Sequence, residues 1–161
     1  MFKSILSSIL LLVFTFTAFA QKDFTKEADN EFTNEGFYKA IELYKKAFSK
    51  EKRNEKKAEI LFKIGECYKL SEDHKQAQVW YDKAIKANYP NPLLYLHMAD
   101  AIKADGRYDE ALVYYNQYKE KAPGDKLGAD GAKSCELAQK WKDEPARFEI
   151  QDEVLINSKF Y

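Results

Sequence analysis

The stretch GRYDEALVYYNQYKEKAP, Gly106 to Pro123, decides the fold. A turn glycine is followed by Tyr108, Ala111, Tyr115 and Tyr118, spaced three or four residues apart, which places them on one side of a helix. The same order occurs earlier in the chain, where Ala77 lies 34 residues before Ala111. In one copy Leu61, Ile64, Gly65 and Tyr68 precede Ala77, Tyr81 and Ala84, and Pro90 closes it. In the next, Tyr95, Met98, Ala99 and Ile102 precede Ala111, Tyr115 and Tyr118, and Pro123 closes it. A third, earlier copy carries Ala40, Tyr44 and Ala47, with 37 residues between Ala40 and Ala77, so the turn around SKEKRN is expected to be three residues longer.

A 34-residue period means one helical hairpin repeated. Each copy holds two amphipathic helices, whose small residues (Gly65, Ala77, Ala84, Ala99, Ala111) let axes approach while Tyr68, Tyr81 and Tyr115 fill the space between them. A single hairpin leaves an apolar face uncovered, and stacking neighbours makes the core continuous. The pattern of a large residue, Leu-Gly or its substitutes, an aromatic, and later Ala, an aromatic and Pro resembles the tetratricopeptide repeat family. That resemblance implies an all-α fold, a superhelix of about three hairpin repeats. Local signals agree: Asp73 with Gln76 has the form of a capping box, Asn91-Pro92 of a helix start, and Asp105-Gly106 of a break. The first helix, near Phe24 to Thr33, carries Glu27 and Glu31 where the pattern asks for apolar residues. After Pro123-Gly124 a capping helix is expected from about Ala129 to Lys142, with Ala132, Cys135, Leu137, Ala138 and Trp141 available to cover the open end.

Cys67 and Cys135 are 68 residues apart, two periods, with Ala101 at the equivalent place between them. Packed helices lie about 8–10 Å apart. Sites two hairpins apart therefore exceed the roughly 7 Å reach of a disulfide, and two free buried thiols are expected.

The chain of 161 residues has 26 Lys+Arg and 26 Asp+Glu, and 15% of its residues are aromatic. Zero net charge without a long basic run gives no electrostatic footprint for nucleic acid. The opening residues differ from the rest. Lys3, an apolar run from Ile5 to Phe19 and the small-residue pattern Ala18-Phe19-Ala20 have the layout of a secretory signal peptide. Residues 1–20 are thus expected to be removed, leaving a tetratricopeptide-like domain over 21–144 in an exported protein, in the periplasm or at the periplasmic face of the outer membrane. Membrane association is expected only through that signal or through a partner complex.

From Pro145 the pattern changes again. RFEIQDEVLINSKFY alternates Phe148 and Ile150 with charges before the cluster Val154-Leu155-Ile156, and reads as a short extended tail over 145–161. SCELAQKWKDEPARFEI followed by LINSKFY is similar to the junction in Gram-negative envelope proteins that combine a signal peptide, tetratricopeptide repeats, a β-propeller and an OmpA-like peptidoglycan-binding domain. The resemblance implies that this tail opens a β-propeller missing from the sequence. Some members of that family are accessory to type IX secretion or gliding machines anchored to the cell wall.

Catalytic readings fail on chemistry. GADGAKS places Ala132 where a phosphate-binding loop needs glycine, and no strand precedes it. His74 and His97 have no metal-ligand partners at suitable spacing, and no nucleophile has a histidine arrangement. No enzyme activity, cofactor, small-molecule ligand or metal is expected. Surface recognition is left. In the tetratricopeptide family the first helix of each pair lines a concave groove, and the matching outward positions are Phe62, Glu66, Lys69 and Leu70, then Leu93, Leu96, Asp100, Lys103 and Ala104. Phe62, Leu93 and Leu96 would anchor a protein or peptide partner, while Glu66, Lys69, Asp100 and Lys103 would set its register. The lysine-and-asparagine clamp of some family members is not reproduced, since the matching sites hold Thr25, Asp29, Lys63, Leu93 and His97. The expected role is a non-catalytic scaffold of the cell envelope. A structural spacer or dimerisation module, or a glycan-associated accessory domain, are the alternatives.

Overall fold

The computed structural model describes residues 23–144, and all regular structure among them is helical. In chain order the helices are α1 (Phe24–Thr33), α2 (Phe37–Lys50), α3 (Asn54–Leu70), α4 (His74–Lys86), α5 (Leu93–Ala104), α6 (Tyr108–Lys121) and α7 (Leu127–Asp143). The signal-like segment and the C-terminal tail lie outside the described residues. Two compact units divide the chain after Tyr89.

In the first unit α1 pairs with α2 and α3 with α4, and α2 also packs on α3. Ala28, Ala40, Ile41, Tyr44, Ala47, Ile60, Ile64 and Cys67 form one buried cluster, with Phe32, Phe48, Tyr68 and Trp80 against it. The alanines act as expected: Ala40, Ala77 and Ala84 are fully buried, and at these points only a methyl group separates neighbouring helices. Gly65 goes further, because a Cβ there would fall on the Tyr81 ring of α4. The acidic helix α1 forms over the expected residues, its start capped by Asp23 Oδ1, which accepts from the amides of Thr25 and Lys26 at 3.1 Å.

The 37-residue spacing has a different origin from the one the sequence suggested. The connection from α2 to α3 is short, Glu51–Arg53, and the extra residues lengthen α3, which has 17 residues against 12 in α5. Glu51 closes this tight connection by accepting from the amides of Lys52 and Arg53, both at 2.9 Å, and from the Arg53 guanidinium at 3.0 and 2.8 Å. Helix continues because Asn54 to Ala58 contains good helix formers and no glycine or proline.

In the second unit α5 pairs with α6, α6 packs on α7, and α5 also touches α7. Asn91 Oδ1 accepts from the Leu93 amide at 3.0 Å beside Pro92, and starts α5. Gly128, Ala132 and Cys135 bury one face of α7, and a Cβ on Gly128 would lie 2.8 Å from the Tyr118 ring. Leu137 and Trp141, expected to cover the end of the stack, are exposed instead, Trp141 at 67%. They lie about 200° and 240° around the helix from Cys135, off the face that meets α6. Both cysteines are free and buried, as the period required, and burial pushes the Cys67 thiol up to about 12.

Candidate interaction surface

Each hairpin carries the same polar bolt. A tyrosine of the second helix donates its hydroxyl to a carboxylate 15 residues earlier on the first: Tyr44 to Asp29 Oδ1 at 2.6 Å, Tyr81 to Glu66 Oε1, and Tyr115 to Asp100 Oδ1 at 2.5 Å. The tyrosines are buried, and each joins a large apolar contact to a satisfied polar tip. Burial, then the neighbouring carboxylate, raises the phenol pKa of both Tyr44 and Tyr115. Lys63 adds a second donor to Asp29 at 2.8 Å. Burial alone would raise the Asp29 pKa, but hydrogen bonds from Lys63 and Tyr44 outweigh it and hold the carboxyl below its ordinary value.

These bolts change the reading of the expected register residues. In the first unit Glu66 is held by Tyr81 and by the Lys69 ammonium at 3.2 Å, and neither charge is free-standing. Phe62 is half-buried and stacks on Tyr89 with ring centroids 4.9 Å apart. In the second unit Asp100 is exposed but accepts from Tyr115, and Lys103 donates to Ser134 Oγ of α7 at 2.9 Å. Leu96, expected to point outward, is instead buried. Six of the 12 residues of α5 are buried and apolar (Leu94, Leu96, Met98, Ala99, Ala101 and Ile102), an apolar face broad enough to take in Leu96. Leu93 remains 36% exposed, Leu70 47%, and Ala104 is open.

The reading from sequence missed Leu127, which is 52% exposed and stands one 34-residue period after Leu93. It missed the bolts as well, although a tyrosine 15 residues after an acid recurs in all three copies. His74 is half-buried with Nδ1 unpartnered among the described residues, and no group of three metal-ligating side chains occurs among them. No helix there is long and apolar enough to cross a membrane.

Solved structures with the same helical-hairpin arrangement include a tetratricopeptide domain of Arabidopsis OM64, at TM-score 0.63 and 18% identity over 71% of this chain and 92% of that one. The Sgt2 tetratricopeptide domain from Aspergillus fumigatus aligns at TM-score 0.65 and 17% identity, over 80% and 87% of the two chains. The chain has the tetratricopeptide-repeat fold. A third structural neighbour is PcrH, solved in complex with the chaperone binding region of PopD, at TM-score 0.61 and 15% identity over 74% and 90%. No protein-family model and no curated protein matches the sequence. At these identities the shared property is the arrangement of hairpins, and the tetratricopeptide side chains that meet solvent are this chain's own.

Proposed function

We propose that this tetratricopeptide-fold domain is a non-catalytic interaction module that holds a polypeptide partner in the cell envelope. The observation that carries the reading is the recurrence of open apolar side chains on first helices whose polar neighbours are already bonded internally: Leu93 on α5 and Leu127 on α7, one period apart. Exposed leucines present area that a partner side chain would remove from water, worth about 25 cal/mol per Å². The PcrH neighbour supports a polypeptide occupant, since that protein was captured with a segment of another chain.

The cellular setting rests on the sequence. Residues 1–20 support export, and the resemblance of 134–161 to envelope proteins supports an accessory role in a secretion or gliding assembly anchored to the cell wall. Two measurements test the pair of claims. Expressed whole in a Gram-negative host, the protein should be recovered from the periplasmic or outer-membrane fraction with a new amino terminus at Gln21; cytoplasmic recovery with Met1 intact refutes the export claim. Chemical crosslinking in envelope extracts should give defined adducts that disappear for Leu93→Ser/Leu127→Ser at unchanged helical circular dichroism. Adducts indifferent to that double substitution refute the surface assignment.

A further inference from the structure

The open flank of α7 carries a pattern that the interaction reading above does not use. Leu137 and Trp141 are exposed at 39% and 67%, off the face that meets α6. At about 100° per residue they share an arc of roughly 100° with Glu144, Lys140, Lys133 and Asp130, all exposed. From the end of the helix backward this face runs Glu144, Trp141, Lys140, Leu137, Lys133, Asp130: acid, apolar, base, apolar, base, acid. Neither lysine is ion-paired among the described residues.

The sequence that follows has the complementary order. Helix α7 stops at Asp143, and Glu144 already leaves helical geometry, with φ −123° and ψ 70°, ahead of Pro145. Beyond the described residues the chain continues with Arg147, Phe148, Glu149 and Ile150, then Asp152 and Glu153: base, apolar, acid, apolar, acid. Laid antiparallel to α7, that order sets Arg147 beside Glu144, Phe148 on Trp141, Glu149 beside Lys140, Ile150 on Leu137, and Asp152 or Glu153 beside Lys133. The spacings agree as well. At about 1.5 Å per helical residue, Trp141, Lys140, Leu137 and Lys133 lie roughly 4, 6, 10 and 16 Å back from Glu144. At about 3.3 Å per extended residue from a reversal at Pro145-Ala146, Phe148, Glu149, Ile150 and Asp152 lie roughly 7, 10, 13 and 20 Å along. The offset stays near roughly 2–4 Å, within the reach of a side chain. Asp130 ends the match, because it would face the acids of the segment, and Leu127 beyond it stays open.

We infer that residues 147–153 of this chain dock on the open face of α7, with Phe148 and Ile150 over Trp141 and Leu137 and the acids beside Lys140 and Lys133. A second copy fits this face less well. Two α7 helices laid antiparallel about Leu137 would bring lysines against lysines and Asp130 against Glu144, and like charges in contact oppose association. The segment is tethered at the end of the face it meets, so a contact too weak to hold a separate peptide holds here, at an effective concentration of about millimolar. Docking fixes the residues after Glu153 against the end of the repeat domain. The inference uses neither Leu93 nor Leu127 and does not depend on the interaction reading.

Acrylamide quenching of Trp141 tests it, in the full chain carrying Trp80→Phe, which leaves Trp141 as the reporter of the two tryptophans. The quenching constant should rise about twofold or more in Glu149→Lys/Asp152→Lys/Glu153→Lys, in Lys133→Glu/Lys140→Glu and in Phe148→Ser/Ile150→Ser, at unchanged circular dichroism. Combining the two charge reversals should restore the parent value, which a tryptophan open to solvent in every variant would not do. Protection should be independent of protein concentration. Leu93→Ser/Leu127→Ser should leave it intact, which separates failure here from failure of the surface on α5 and α7. Equal quenching in the parent and the tail variants, no recovery in the combined variant, or protection that grows with concentration, the mark of a second copy, would each overturn the proposal.

Discussion

Helices α3 and α7 occupy the same phase of the repeat two periods apart, yet they meet the rest of the protein differently. Ile60, Ile64 and Cys67 of α3 are buried with α2, and their counterparts Gly128, Ala132 and Cys135 of α7 are buried toward α6. The other flank diverges. In α3 it carries Leu61, Gly65 and Tyr68, with Gly65 under the Tyr81 ring; in α7 the same positions are Ala129, Lys133 and Glu136, all exposed. Among the described residues α3 meets helices on both flanks and α7 on one, and a flank that meets no helix favours polar residues. The repeat period fixes where a residue stands, and the presence of a following helix decides which residues are tolerated there.

The largest expected effect sharpens this contrast directly. Gly65→Val puts a branched side chain where even a Cβ meets the Tyr81 ring, and should destabilise the protein by about 3 kcal/mol in denaturant unfolding. Lys133→Val, at the equivalent position of α7, should change stability by no more than about 0.5 kcal/mol, because its side chain is exposed. Similar losses in both variants would mean that α7 is packed on both flanks, and the distinction would fail.

A smaller effect probes the tyrosine bolts. Tyr44→Phe removes one donor to Asp29 while keeping the ring, and should cost about 1 kcal/mol near neutral pH. The Asp29 carboxyl is depressed in the folded protein, so its contribution is present above its unfolded pKa, near the ordinary 3.8, and is lost as pH falls through the lower folded value. The stability gap between wild type and Tyr44→Phe should therefore narrow in acid below about pH 4. A carboxylate NMR titration should show the Asp29 pKa rising in the variant. An unmoved Asp29 pKa would remove the bolt as a determinant of that charge.

The period, the hairpins, the free thiols and the acidic first helix were legible because they depend on alanine, glycine and aromatic spacing, which sequence displays directly. The candidate surface was less legible. Outward positions were taken from helical phase, but Leu96 is buried, and phase alone does not give the breadth of the apolar face of α5. Glu66, Lys69, Asp100 and Lys103 looked available because hydrogen bonds to Tyr81, Tyr115 and Ser134 join residues that are distant along the chain. The spacing of 37 was visible, but a longer turn and a longer helix produce the same number. Only the Glu51–Arg53 lock distinguishes them. Trp141 drew attention by its size, although it stands off the face defined by Gly128, Ala132 and Cys135.

The finest comparison between the units lies in the turns inside the hairpins. Glu35, Glu72 and Gly106 occupy one repeat position, and all three have positive φ, at 60°, 60° and 74°. The hydrogen bonds around them match: Asp73 donates to the Tyr68 carbonyl and Arg107 to the Ile102 carbonyl, each spanning five residues back to close the preceding helix. Left-handed backbone suits glycine and costs a residue with a Cβ about 1 kcal/mol or more. Glu72→Gly should therefore stabilise the first unit by roughly 0.5 kcal/mol, after the greater freedom of glycine in the unfolded chain offsets part of the gain. Gly106→Ala should destabilise the second unit by about 1 kcal/mol, even though nothing lies within 4 Å of a Cβ there, because the cost comes from the backbone and not from a clash. Opposite signs in thermal unfolding would show that glycine at this position relieves strain. Losses in both variants would mean that the Glu72 side chain contributes more than its backbone conformation costs.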